Sequence, residues 1–270
     1  METVTAAVTS ADGTIIAFDQ IGAGAPLVLV AGASCDRAVD ARIAEGLAAH
    51  FTVLNYDRRG RGDSTDTPPY AVERGIEDLE IMLAAAGGSA VVVGLSSGAV
   101  LAAHAAAAGL PIGRLVMWEP PFRLDAAAQQ AAREYVEQTR VLLAEDRRGD
   151  ALELFMTMVG LPAEMIAGIR RSPYWAQGEK LAPTLAYDAA VVGDGSIPGE
   201  GFATITTPTA VLTGGASPDW FRAAGKAAAD AIPGATHGVL PGQTHDVAPD
   251  VLAAAVRELV DTQAAYAPQP

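Results

Sequence analysis

Two hydrophobic periods alternate along the first half of the chain. The runs TVTAAVTS and TIIAFDQIG flank ADG and predict a β-hairpin. PLVLVAG (26–32) is an unbroken apolar run of strand length, the pattern of a strand buried on both faces. A helical period follows over 36–49, then FTVLNYD as a strand, a glycine-rich loop, a helix over 72–86 and AVVVGLS as a strand. A helix from Ser97 to about 108 and the strand GRLVMWEP complete the series. Strands and helices alternating across short links predict right-handed βαβ units on a mostly parallel sheet.

The rhythm breaks at EPPF. From 123 to 205 the chain reads as helical or irregular, with no strand pattern. It then resumes with TPTAVLTGG (strand), SPDWFRAAGKAAADAI (helix), THGVLPG (strand) and PDVLAAAVRELVDTQAA (helix). The expected organisation is an α/β core over 1–122 and 206–270, interrupted by a helical lid over 123–205. Such a lid lies at the sheet's carboxyl edge, where open α/β sheets bind ligands. The terminal YAPQP reads as a loose tail.

Composition narrows the partners. The chain has 270 residues, half of them hydrophobic, enough for one large domain with a sizeable core. A net charge of −14 leaves no basic footprint for nucleic acid or an anionic membrane, so a small-molecule substrate is expected. The single cysteine, Cys35, rules out an intramolecular disulfide and fits a reducing compartment. The N-terminus has no signal-peptide pattern, and no apolar run reaches the ~20 residues of a membrane helix. A cytoplasmic location is the expectation. His, Cys and carboxylates show no ligand spacing, so no metal or organic cofactor is expected.

The chemistry centres on Gly94-Leu95-Ser96-Ser97-Gly98, a G-x-S-x-G between an apolar strand and a helix. The small flanking residues leave space for a strained turn that presents Ser96 at a helix N-terminus, where developing negative charge is favoured. The competing explanation is a plain tight turn with Ser96 or Ser97 as N-cap. The strand–turn–helix context favours a nucleophile. Together with LVLVAG, YDRRGRGDS (56–64) and LPGQTHDVAP (240–249), the motif makes the chain resemble the α/β-hydrolase fold family over nearly its whole length.

That resemblance implies roles for further residues. The family's general base lies in the loop after the last strand, which here points to His245. His50 ends a helix, His104 sits in a helix core and His237 lies within a strand. The resemblance also implies an oxyanion hole from the backbone N–H groups of Ser97 and Ala33. Ala31 stands where the family usually has histidine, which bears on how that loop is braced. The third member is open. The family's usual acid follows the seventh strand, where this chain has Gly214-Gly215-Ala216-Ser217. Glu119, at the carboxyl end of the sixth strand, competes with Asp219 and with a Ser–His dyad lacking an acid. Ser217-Pro218-Asp219 also fits an ordinary helix start with Ser217 as N-cap.

Other features carry less. The RRGRGDS loop reads as a structural turn. Cys35, Asp36 and Arg37 are candidates for the pocket mouth, and Cys35 lacks a histidine to activate it. Met156, Met158, Leu161, Met165, Tyr174 and Trp175 give the lid an apolar face, with Met156, Met158 and Trp175 the expected substrate contacts. Tyr187 and Asp188 are possible polar contacts. The expected function is a serine hydrolase of a small, largely apolar ester, thioester or lactone. The rivals are a non-catalytic binding protein and a non-hydrolytic acyl transferase or cyclase.

Overall fold

The computed structural model describes residues 2–264, so the YAPQP tail lies outside the described residues. Its described strands form an eight-stranded sheet in the order β1-β2-β4-β3-β5-β6-β7-β8. They are β1 (Thr3–Thr9), β2 (Ile15–Ile21), β3 (Ala25–Val30), β4 (Phe51–Tyr56), β5 (Ala90–Leu95), β6 (Ile112–Trp118), β7 (Thr209–Gly214) and β8 (Thr236–Leu240). β1 pairs antiparallel with β2, and β2 antiparallel with β4; every other pairing is parallel. The pattern reads directly into this arrangement. β5 and β7 are buried at every position, as strands covered on both faces must be, while threonine-rich β1 is an exposed edge.

Helices cover both faces. Leu79 and Met82 of α2 (Val72–Ala85), Val100 and Leu101 of α3 (Ser97–Ala107) and Ala224 and Ala228 of α10 (Asp219–Ala231) share one core. Leu47 of α1 (Ala41–Ala48) and Leu252 and Val256 of α11 (Pro249–Ala264) fill the other. Helix α3 is buried on nearly every side, which its run of alanines permits by allowing close approach. Helix α1 begins at Ala41, later than the expected 36, because Asp36 Oδ1 accepts the backbone N–H groups of Ala38 and Val39 and holds a turn there.

Between β6 and β7 the described chain is helical, as expected: α4 (Ala126–Ala144), α5 (Arg148–Met158), α6 (Ala163–Arg170), α7 (Trp175–Leu181), α8 (Leu185–Val192) and short α9 (Gly199–Phe202). Leu152, Ala182 and Leu185 give this segment a small core of its own. No described helix is long and apolar enough to cross a membrane. The parallel register aligns Leu95, Trp118 and Leu212 across β5, β6 and β7, so the residues just beyond them meet at one edge of the sheet.

Candidate active site at the carboxyl edge

β5 ends at Leu95 and α3 starts at Ser97, so Ser96 alone makes the turn, with φ +53° and ψ −119°. That conformation costs a residue with a side chain of order 1–3 kcal/mol and persists only where the surroundings enforce it. The flanking glycines show how they do. A Cβ on Gly94 would stand 2.5 Å from Ala99 Cα, and one on Gly98 would overlap the backbone oxygens of Val30 and Ala31. The Ser96 N–H is fixed on Trp118 O at 2.9 Å. Ser97, as the first residue of α3, offers one of the N–H groups that a helix leaves without an internal partner.

One strand away, Glu119 follows β6, fully buried and also in the left-handed region at φ +43°. Its Oε2 accepts from His245 Nδ1 at 2.7 Å and its Oε1 from the Gly214 N–H at 2.8 Å. Loss of solvent raises its pKa, but the hydrogen bonds from His245 and Gly214 and the nearby Ser217 hydroxyl outweigh this, so the carboxyl is held below its ordinary range. Glu119 is therefore ionised at neutral pH, which assigns the shared proton to His245 Nδ1; in the neutral imidazole the lone pair is then on Nε2. Of the competing acids, Glu119 is the one that the structure brings to His245. Asp219 is 95 % exposed and pairs with Arg222, away from the imidazole. Ser217 does not cap α10, whose N-cap position is Pro218; its buried hydroxyl sits beside Glu119.

Further contacts position His245, and sequence reasoning missed them. Trp118 Nε1 donates to His245 O at 3.0 Å, and the Phe221 ring stacks on the imidazole at 4.9 Å and 19°. Neither residue carries a motif; each becomes visible only once β6, α10 and the His245 loop converge. Two of the other histidines are engaged elsewhere: His104 Nε2 lies 3.1 Å from Val191 O, and His237 Nε2 lies 3.0 Å from Thr213 Oγ1.

Arginines brace the loop after β3, where Ala31 stands in place of the family's histidine. Arg61 donates to Gly32 O at 2.6 Å and to Cys35 O at 3.1 Å, and Arg58 to Ala31 O at 3.4 Å. Asp188 on α8 joins both guanidiniums, accepting from Arg58 at 2.6 Å and from Arg61 at 2.7 Å. The Ser97 hydroxyl donates to the same carboxylate at 2.8 Å. Burial raises the Asp188 pKa, but the two arginine charges and Ser97 more than offset it and keep the carboxyl below its ordinary range. The RRGRGDS loop is thus structural, as expected, and Asp188 ties it to α8 and to the start of α3.

A cavity of about 1350 Å³ is lined by Ala33, Ser96, Ser97 and His245 among others. Met158 and Cys35 also line it. Met156 and Trp175, expected as substrate contacts, correct that expectation: both pack against Leu152, Ala182 and Leu185 inside the inserted segment. Leu161, Met165 and Tyr174 are likewise absent from the lining, with Tyr174 80 % exposed. Asp36 and Arg37, expected at the mouth, are held elsewhere. Asp36 accepts from Gln177 at 2.9 Å, and Arg37 pairs with Asp19, Asp57 and Asp63. Loss of solvent pushes the Cys35 thiol up to about 12, so it is no nucleophile at neutral pH.

Comparison with known proteins agrees with this fold. Residues 27–255 match the model of the alpha/beta hydrolase family, and the chain belongs to that family. Among solved structures it is similar to an alpha/beta hydrolase from Sphaerobacter thermophilus DSM 20745. That protein is 51% identical, with a TM-score of 0.86, over 94% of this chain and 100% of the other. A thermophilic esterase from Thermogutta terrifontis is 25% identical with a TM-score of 0.71, covering 97% and 99% of the two chains. An esterase from Rhodococcus sp. ECU1013, at 21% identity and a TM-score of 0.66 over 96% and 98%, shares the fold. Esterases and other hydrolases thus stand among its structural neighbours.

Proposed function

We propose that the protein is a serine hydrolase that cleaves carboxylic esters, thioesters or lactones through an acyl-enzyme on Ser96. The observation that carries this reading is the 2.7 Å contact between His245 Nδ1 and buried, ionised Glu119, with His245 and the strained Ser96 lining one cavity. A carboxylate held dry at a positive φ is costly to maintain and serves an imidazole that becomes charged during a reaction. The esterase neighbours support the same chemistry.

In the reaction, Ser96 Oγ attacks the carbonyl carbon while His245 Nε2 takes its proton. Glu119 stabilises the imidazolium through Nδ1–H and remains ionised throughout. The backbone N–H groups of Ser97 and Ala33 stabilise the oxyanion, where each such donor is worth about 10²–10³ in turnover. The tetrahedral adduct collapses, His245 returns the proton to the leaving oxygen or sulfur, and the acyl group stays on Ser96. Water, deprotonated by His245, then attacks the ester and the second collapse restores Ser96. Arg58, Arg61 and Asp188 position the oxyanion loop and Ser97. The helical segment 123–205 serves as the lid, contributing Met158 to the cavity. The single cysteine supports a cytoplasmic location.

Intact-mass detection of fluorophosphonate labelling near neutral pH tests the nucleophile. One adduct per chain is expected, abolished by Ser96→Ala and strongly slowed by His245→Ala. A folded chain that forms no adduct refutes the mechanism and favours a binding protein on this fold. An adduct without hydrolysis of any ester favours acyl transfer.

A further inference from the structure

Arg123 lines the same cavity as Ser96 and His245, yet nothing in the mechanism uses it. Its situation differs from that of the other arginines inside the fold. Arg37, Arg58, Arg59 and Arg61 each face a carboxylate at hydrogen-bond distance. Among the described residues no carboxylate lies within ion-pair distance of Arg123, and its guanidinium donates only to Met158 Sδ, at 3.9 Å. Asp125, the nearest acid to influence it, is exposed and spent on capping α4 through the Ala128 N–H at 2.8 Å. Loss of solvent consequently disfavours the Arg123 charge. A partly buried guanidinium has five donors in a fixed fork, and leaving them unmade is expensive.

The residue is nonetheless held in place. Its N–H donates to Gly195 O at 2.7 Å, and Gln129 Nε2 donates to its carbonyl at 2.9 Å. A Cβ on Gly195 would stand 2.7 Å from Arg123 Cγ, so that glycine preserves the room the side chain occupies. The guanidinium lies 4.1 Å from the centre of the Trp220 ring, which fixes its plane without consuming its N–H groups. From there the stack is continuous: Trp220 lies 3.7 Å from Phe221, and Phe221 4.9 Å from His245. The rings of Trp220 and Phe221 line the cavity and offer an apolar track between the cation and the base. Arg42, the other arginine of the lining, is solvent-exposed.

We propose that Arg123 binds a carboxylate carried by the substrate at the end remote from the scissile carbonyl, making half-esters of linear dicarboxylic acids the preferred substrate class. The methylene chain lies along Trp220 and Phe221, the free carboxylate pairs with the guanidinium, and the ester carbonyl reaches Ser96. Four acids line the cavity, Asp40, Glu134, Asp188 and Asp246, and of these Asp188 is already neutralised by Arg58 and Arg61. The inference rests on the hydrolytic reading of Ser96 and His245, and its test separates the two.

The experiment compares kcat/KM for monomethyl and dimethyl esters of succinate, glutarate, adipate and suberate, for the wild type, Arg123→Met and Arg123→Lys. Calorimetric binding of monomethyl adipate to Ser96→Ala, with and without Arg123→Met, accompanies it. At the best chain length the wild type should favour the half-ester at least tenfold. Arg123→Met should lower that ratio about 10- to 100-fold, the range of a charge-assisted bidentate contact, with Arg123→Lys recovering part of it. Preference for the diester at every length, or an unchanged ratio in Arg123→Met, overturns the proposal. If neither ester turns over, the hydrolase reading fails and calorimetry decides the anion site alone. Binding weakened tenfold or more by Arg123→Met then upholds it, and equal affinities overturn it.

Discussion

Replacing Glu119 by glutamine tests the site most sharply, because the surrounding donors dictate what the amide must do. Glu119 Oε1 accepts from the Gly214 N–H at 2.8 Å, and that N–H is fixed at the end of β7. The glutamine carbonyl oxygen must take this place, since turning the NH₂ towards Gly214 would set two donors against each other in a dry site. The NH₂ then faces His245 Nδ1, which in the native protein donates at 2.7 Å. Nδ1 must become the acceptor, the proton moves to Nε2, and the nitrogen that should deprotonate Ser96 is blocked. The loss combines a wrong tautomer with an unsupported imidazolium. In serine hydrolases built on this logic such a change costs about 10⁴ in turnover, or about 5 kcal/mol of transition-state stabilisation. The assay is kcat for a p-nitrophenyl ester together with the rate of fluorophosphonate labelling, both expected to fall about 10³–10⁴-fold with the fold retained by circular dichroism. Asp219→Asn is the control. Its side chain is 95 % exposed, so its activity should stay within about threefold of wild type, as surface substitutions do. A Glu119→Gln enzyme within tenfold of wild type, or an Asp219→Asn enzyme that loses as much, would refute the argument.

Two more outcomes follow from the buried charges. Asp188→Asn removes the carboxylate paired with Arg58 and Arg61, and breaking a buried pair costs about 3–5 kcal/mol; urea unfolding should show that loss, and surviving folded enzyme should lose kcat more than KM as the loop after β3 and Ser97 slacken. Asp40 is buried with Oδ2 lacking a hydrogen-bond partner, and loss of solvent raises its pKa from 3.8 to about 6. The folded state thus binds the proton more tightly than the unfolded one, and this group's contribution to stability grows as pH falls from about 7 towards 4. Asp40→Asn should therefore stabilise the protein at pH 8 by up to about 3 kcal/mol and leave it unchanged near pH 4. Chemical denaturation at the two pH values checks the sign; equal effects at both would show that ionisation of Asp40 carries no penalty.

The features that short-range patterning settled are those decided by local sterics and periodicity. Short unbroken apolar runs such as PLVLV and AVVV, bounded by turn residues, fit strands covered on both faces, and their alternation with helical periods sets the parallel sheet. The strained turn at Ser96 was legible because Gly94 and Gly98 are needed within two residues of it to make the turn sterically possible. His245 was legible from its loop and from the duller surroundings of the other histidines. The acid was not. Glu119 and His245 are separated by 126 positions, and their contact exists because β6 and β7 pair in a register that sets Glu119 beside Gly214. Asp188 lies 130 positions from Arg58, so the arginine braces of the loop after β3 have no local signature either. Met156 and Trp175 show the same limit from the other side. An apolar helical face must be buried, but whether it meets the cavity or the segment's own small core depends on how α5 and α7 dock. Local pattern selects elements and strained turns; which distant side chains then meet is decided by packing, because those contacts form only in the assembled fold.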